Sequence, residues 1–217
     1  MKNLTLLVFI LISCCSNIQS QEINFGVKGG LNLSTVTGDV SDAVNPRLAY
    51  HFGGFMNLPI SNRISVNPEI LYFSIGSTTN ISIEELRIFN VEPTPVLNSN
   101  LRSVQRANFL VIPLNLRYNF TNRFGLDFGP QIGFLLNTVN KLKESFQADD
   151  NLERQSSPGD FRTDYGANLG LTFFVNDQLN FQLRYYQGLK NLNRGRFAAE
   201  FQTFNVALQL SAGYVLF

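Results

Sequence analysis

Apolar and polar residues alternate along eight segments of this chain, each about a dozen residues long. In the first segment, INFGVKGGLNLS, every second residue from Ile23 to Leu33 is apolar except Gly29, and the residues between them are small or polar. A period of two is the signature of a β-strand with two different faces. The same pattern recurs in residues 48–58, 64–75, 109–120, 124–137, 165–175, 179–189 and 204–216. The pattern therefore predicts eight strands, each long enough to cross a bilayer at a tilt.

The links between these strands alternate between short and long. Three links are short, at 59–62, 121–123 and 176–178, and four are long, at 35–47, 76–108, 138–164 and 190–203. Short turns on one rim and long loops on the other are typical of outer-membrane barrels, with the turns in the periplasm. We therefore predict an all-β fold, an eight-stranded antiparallel transmembrane β-barrel with short periplasmic turns and long extracellular loops. The loops at 76–108 and 138–164 are candidate surfaces for a protein partner.

The two faces of the strands favour a barrel in lipid over a soluble barrel or a sandwich. The apolar face is aliphatic or aromatic on every strand, whereas the other face carries charges such as Lys28, Glu69, Asp127 and Arg184. A soluble fold would have to bury those charges in its core. Aromatic residues cluster near the strand ends and predict two interfacial girdles. The loop rim has Tyr50, Tyr72, Phe134, Tyr165, Tyr185 and Phe204, and the turn rim has Tyr118, Phe120, Phe124, Phe173 and Tyr214.

Composition adds an export signal and excludes some partners. Seventeen basic and sixteen acidic residues give a net charge of +1, which argues against a nucleic-acid partner. Residues 1–20 have one lysine followed by an apolar run and are predicted to be a secretory signal peptide, leaving residues 21–217 as the barrel domain. In an alternative interpretation, LISC at residues 11–14 is a lipoprotein signal that leaves Cys14 acylated. Both cysteines lie in this segment, and no metal or cofactor site is expected.

The last strand is predicted to pair with the first, so that closure removes the free edges of the sheet. Near the C-terminus, Gln209, Ser211, Tyr214 and Leu216 resemble the signal that the outer-membrane assembly machinery reads, with Ser in place of Gly. The expected partners are therefore outer-membrane lipid, this machinery during insertion and a protein bound through the loops. The expected location is the outer membrane of a Gram-negative bacterium.

The inward face predicts a polar network that plugs the barrel, because eight strands enclose a lumen that side chains nearly fill. Three acids face three strong bases there, and Arg117 and Asp127 are expected to be neighbours across one turn. The alternative is a path for protons or small ions through the same charges. The inward positions are Lys28, His51, Glu69, Asn115, Arg117, Asp127, Gln131, Asp164, Asn168, Arg184 and Gln209.

The single histidine is the main candidate for a catalytic base, which nucleophilic sites usually need. His51 is expected to lie inside the barrel and close to Glu69, but the sequence places no serine beside it. We therefore expect no enzymatic activity. A lipid-modifying enzyme or a protease that uses His51 is the alternative.

Several segments resemble the PorT-like family of small outer-membrane barrels, namely FGVKGGLNLS, NPEILYFSIGS, FLVIPLNLRYNF, FGPQIGFLL and LRYYQGLKNL. The resemblance covers most strands and none of the long loops. It implies an outer-membrane barrel and a connection with protein secretion. Together with the plugged interior, it predicts a structural or protein-interaction role in secretion or envelope assembly, with a narrow solute or ion channel as the alternative.

Overall fold

The computed structural model describes residues 23–39, 44–81, 101–144, 151–159, 162–193 and 202–217. The predicted signal peptide and Cys14 lie outside these ranges. Within them, no helix is long and apolar enough to cross a membrane. The strands are β1 (Asn24–Gly38), β2 (Asn45–Pro59), β3 (Ile64–Ile81), β4 (Leu101–Asn119), β5 (Phe124–Glu144), β6 (Asn151–Pro158), β7 (Thr163–Phe174), β8 (Leu179–Gly188) and β9 (Thr203–Val215).

Eight of these strands form a closed antiparallel barrel. The order is β4-β3-β2-β1-β9-β8-β7-β5, and β5 also pairs with β4, which closes the ring. The first and last strands pair from Gly26 opposite Val215 to Gly38 opposite Thr203. Because every barrel strand has two neighbours, the barrel has no free edge in the membrane. The predicted fold, including closure by the last strand, is confirmed.

The barrel wall is apolar outside and largely polar inside. On β1, Leu31 is 53% exposed while the adjacent Asn32 is 0% exposed. Aromatic side chains contact one another at both rims, with 5.2 Å between the ring centroids of Phe52 and Tyr72 and 5.0 Å between those of Phe124 and Phe173. The outward face therefore offers an apolar band bounded by aromatic rings, which suits lipid.

The barrel strands β3, β4 and β5 extend furthest beyond the segments that the alternation predicts. β5 has 21 residues, about twice the 9 to 11 that cross a bilayer. The predicted links are wrong where 76–81 lengthen β3, 101–108 lengthen β4 and 138–144 lengthen β5. The predicted link 35–47 is also too long, because 35–38 belong to β1 and 45–47 to β2. Residues 151–158 form β6, which pairs with β5 just beyond the point where β7 stops. The strands β3 to β6 thus form an outer sheet beyond the loop rim, while residues 82–100 and 145–150 lie outside the described ranges.

A bulge in β2 interrupts the wall near the loop rim. Pro46 lies opposite Ser77 and His51 opposite Phe73, so the register of β2 on β3 shifts by one residue between these two pairs. Two polar side chains of β1 reach backbone groups of β3 there. The Ser34 hydroxyl accepts from the Gly76 amide at 2.9 Å and donates to the Gly76 carbonyl at 3.0 Å. Asn32 donates to the carbonyl of Ser74 at 3.0 Å. Buried backbone groups left by the bulge are therefore satisfied from inside the barrel.

Candidate functional site

Glu69 is the centre of a buried charge cluster in the turn-side half of the interior. Its carboxylate accepts a hydrogen bond from Lys28 at 2.9 Å and two from Arg184, at 2.5 and 3.0 Å. The side-chain carbonyl of Gln182 also accepts from both bases, at 2.7 Å each. One acid from β3 and one amide from β8 thus hold two cations, one from β1 and one from β8. These contacts satisfy charges that burial would otherwise penalise strongly.

A further ion pair joins this cluster through Gln182. Arg117 lies directly opposite Asp127 in the register of β4 and β5, and its Nε donates to the carboxylate at 2.7 Å. The Thr172 hydroxyl donates to the same carboxylate. Because the amide nitrogen of Gln182 also donates to Asp127, at 2.9 Å, this ion pair and the Glu69 cluster form one continuous network. We call it the charge network.

His51 lies inside the barrel but forms other contacts than the sequence predicts. Glu69 lies opposite Phe55 in the register, and His51 forms its hydrogen bonds with other residues. The Nδ1 atom is 2.6 Å from the side-chain oxygen of Asn32, and Nε2 is 2.7 Å from the hydroxyl of Ser211. The sequence predicts neither partner. Asn32 is on the neighbouring β1, whose register on β2 is left open by the long link between them, and Ser211 is on β9, which reaches β1 only when the barrel closes.

Asp164 is separate from the charge network. It accepts hydrogen bonds from Tyr186 at 3.1 Å and Asn205 at 2.8 Å, and no ion pair of Asp164 occurs among the described residues. The predicted matching of three acids with three bases is therefore wrong: two acids hold three bases. The remaining predicted residues are all buried; Asn115 donates to Glu69 at 3.4 Å, Asn168 donates to Gln131 at 3.3 Å, and Gln209 is 1% exposed.

The loop-side half of the interior contains an apolar cluster, so the prediction of a polar lumen is wrong there. Phe73 and Tyr186 meet edge to face with ring centroids 6.2 Å apart. The sequence obscured this cluster because residues 70–73 are apolar on both faces of β3, so alternation identified no special inward position. The members are Leu71, Phe73, Ile75, Phe109, Val111, Leu135, Tyr186 and Ala207.

Cavities remain at both ends of the barrel, and the larger of two at the turn end reaches the charge network. The loop-side cavity, of about 350 Å³, has Ile75, Phe109 and Leu135 of the apolar cluster among its lining residues, together with Asp164 and Lys190. The turn-side cavity, of about 720 Å³, is lined mainly by polar residues and reaches Arg117 of the charge network. The two cavities share no lining residue, and the charge network and the apolar cluster lie between them. In the described ranges, no three His, Cys, Asp or Glu side chains come together to hold a metal ion.

Known proteins were compared with the chain by sequence and by structure. Residues 19–194 match the family described as outer membrane protein beta-barrel domain. No curated protein matches the sequence. Ail, the attachment invasion locus protein of Yersinia pestis, is similar in structure at 12% identity and a TM-score of 0.49, over 90% of this chain and all of Ail. The protease OmpT of Escherichia coli is similar at 10% identity and a TM-score of 0.44, over 93% of this chain and all of OmpT. At such identities the likeness says nothing about activity.

The family match covers most of the chain and agrees with the closed barrel and its apolar outer wall. A barrel of this kind is placed in the outer membrane of a Gram-negative bacterium. The chain belongs to the outer-membrane β-barrel domain family.

Proposed function

We propose that this protein is a closed barrel that anchors an extracellular binding surface for a protein partner in secretion or envelope assembly. The observation that carries the proposal is the contrast between the two parts of the molecule. The middle of the barrel is filled by the charge network and the apolar cluster, whereas the outer sheet extends past the loop rim.

The filled interior supports a closed barrel over the alternative of a narrow channel. Within the charge network, Glu69 and Asp127 already bind the nearby cations, so neither carboxylate is left to attract a passing ion. An ion that passed the network would next meet the apolar cluster, where Leu71 and Phe73 are each 1% exposed. Entering such a region without water or a counter-charge costs several kcal/mol or more.

The outer sheet supports the binding role. Its strands carry exposed polar side chains such as Arg102, Gln105 and Asn140, and Gln105 lies opposite Asn140 in the register of β4 and β5. A paired sheet is a more rigid support for binding residues than a loop. In the described residues β6 pairs only with β5, so its other edge offers backbone groups for strand addition by a partner. The resemblance of five strand segments to PorT-like proteins supports secretion as the pathway.

Site-specific photocrosslinking in the native outer membrane tests the binding role. A photoreactive residue replaces Gln105 or Asn140 on the outer sheet, and matched controls replace lipid-facing Leu114 or Asn122 in the periplasmic turn. The proposal expects a discrete protein adduct at 105 and 140 that is missing at 114 and 122. It is abandoned if positions 105 and 140 give no protein adduct.

Planar-bilayer recording tests the closed state separately. The purified barrel is expected to give no stepwise conductance above the protein-free bilayer. Reproducible steps that disappear when the barrel is heat-unfolded would favour the channel instead.

A further inference from the structure

Two arginines and two tyrosines form a cluster on the outer wall beside the β2 bulge. Tyr50 and Tyr72 stack with ring centroids 5.9 Å apart, and Tyr50 is 45% exposed on the lipid-facing side. The Ser34 hydroxyl lies 3.3 Å from the carbonyl oxygen of Arg47 and 3.0 Å from that of Gly76, and Gly76 lies opposite Arg106 of β4. Arg47 and Arg106 therefore lie on either side of Gly76. Because Arg106 lies opposite Gly76, no side chain of β3 intervenes at that position. We call these four residues the arginine–tyrosine cluster.

The positive charge of this cluster is not balanced within the described part of the chain. Neither Arg47 nor Arg106 forms an ion pair there. The Nη1 atom of Arg47 is buried and has no hydrogen-bond partner. Two neighbouring guanidinium groups repel each other, and an unsatisfied buried donor adds a further cost. Both costs fall if an anion binds between the two arginines, because guanidinium groups form paired hydrogen bonds with phosphate oxygens.

The position of the cluster points to a lipid as the source of that anion. Tyrosines of the loop-rim girdle mark the boundary between the apolar band and the headgroups of the outer leaflet. Arg106 pairs with Gly76, which follows Tyr72 by about 13 Å along β3 at about 3.3 Å per residue. Because a barrel strand is tilted, this distance corresponds to about 9 Å along the membrane normal. Arg106 therefore lies above the tyrosines, at the level of the headgroups. The headgroup in this leaflet of a Gram-negative outer membrane is the phosphorylated lipid A of lipopolysaccharide.

We propose that the arginine–tyrosine cluster binds a phosphate group of lipopolysaccharide, with Arg47 and Arg106 holding the phosphate and the two tyrosine rings contacting the sugar and the first part of an acyl chain. This site is distinct from the protein-binding surface proposed above and does not depend on it. The exposed ring of Tyr50 opens the site to the membrane, and Arg106 also borders the loop-side cavity.

The test measures lipid A binding to the purified full-length barrel by native mass spectrometry in detergent. The variant is R47Q/R106Q, and the matched control is R63Q/R123Q, which removes two exposed arginines from the opposite, periplasmic rim. Loss of two charge-assisted contacts is expected to weaken lipid A binding about tenfold or more. The control is expected to bind as wild type. Equal binding by the wild type and R47Q/R106Q overturns the proposal.

Two further arms identify the ligand group and guard against misfolding. The first arm compares lipid A with dephosphorylated lipid A on the wild-type barrel. Removal of the phosphates is expected to weaken binding as much as the R47Q/R106Q substitutions do. Equal binding of the two lipids to the wild type overturns the role of phosphate. Inorganic phosphate at millimolar concentration is expected to leave lipid A bound, and displacement by it overturns a lipid-specific site. If R47Q/R106Q fails to fold, R47K/R106K replaces it, and its binding is expected to lie below wild type because lysine lacks the planar fork.

Discussion

The hydroxyl of Ser34 on β1 bonds both backbone groups of Gly76 on β3, although β2 lies between these strands elsewhere in the barrel. The hydroxyl accepts from the Gly76 amide at 2.9 Å and donates to its carbonyl at 3.0 Å. A side chain therefore takes the place of the backbone partners that the β2 bulge withdraws. The same bulge includes Arg47, so Ser34 also supports the geometry of the arginine–tyrosine cluster.

Replacing Ser34 with alanine is expected to destabilise the barrel by about 1 to 3 kcal/mol, because the buried amide and carbonyl of Gly76 lose their partner. The free energy of unfolding is measured by urea titration in detergent. Ser157→Ala, on the exposed β6, is the control and is expected to change stability by less than about 0.5 kcal/mol. Equal effects of the two substitutions would contradict this account of the bulge.

A methyl group at Gly26 is expected to disturb the interior. A Cβ atom there would lie 2.4 Å from the ring of Phe55 and 2.6 Å from the backbone oxygen of Tyr214. We expect Gly26→Ala to cost about 1 to 3 kcal/mol through overpacking, seen as a lower temperature for loss of the compact band in gel electrophoresis. Gly54→Ala is the matched control, since its Cβ would approach no atom closer than 3.6 Å. A stable Gly26→Ala barrel would mean that Phe55 has another place to go.

The ion pair of Arg117 and Asp127 is expected to show strong coupling. Arg117→Met leaves the Asp127 carboxylate buried without its cation, at 1% exposure, and is expected to cost about 3 to 5 kcal/mol. Adding Asp127→Asn removes the uncompensated charge and is expected to recover most of this loss. A double-mutant cycle with urea unfolding measures the coupling. Additive losses would show that the two side chains act independently.

We expect no catalysis at His51, although the hydrogen bond between Ser211 and His51 resembles that of a nucleophile and its base. Ser211, His51 and Asn32 form a hydrogen-bonded series, but their exposures are 3%, 2% and 0%. None of the three lines either cavity, so a substrate has no route to the serine hydroxyl. Ser211→Ala in the native host is therefore expected to leave the lipid profile and surface proteolysis unchanged. A reproducible change in either would revive the enzyme alternative.

The membrane-crossing part of the fold was predictable because lipid imposes a strict alternation on each strand. Where the strands leave the membrane, both faces meet water and the alternation ends. Alternation therefore does not distinguish the extensions at 76–81, 101–108 and 138–144 from loops. The same physics explains why β6 went unrecognised.

Strand register was harder to predict than strand identity. Arg117 and Asp127 flank a short turn, which leaves few possible offsets, and they lie directly opposite each other. His51 and Glu69 lie on the same face, but Glu69 lies opposite Phe55, which is four residues from His51 along β2. An even offset keeps every side chain on the same face, so alternation could not distinguish the two registers.

The hydrogen bond between Lys28 and Gln182 joins residues 154 positions apart in the chain. Lys28 is on the first strand, and Gln182 is on the strand before the last. Until β1 meets β9, these groups cannot complete the charge network, and an unclosed sheet would carry bare ions toward the bilayer. Insertion of the barrel into the membrane and pairing of its interior charges are therefore coupled. In a chain with such distant contacts, the interior ion pairs form late in folding. Partly folded intermediates therefore expose unpaired charges to lipid, which is costly, and barrel closure becomes the committing step of assembly.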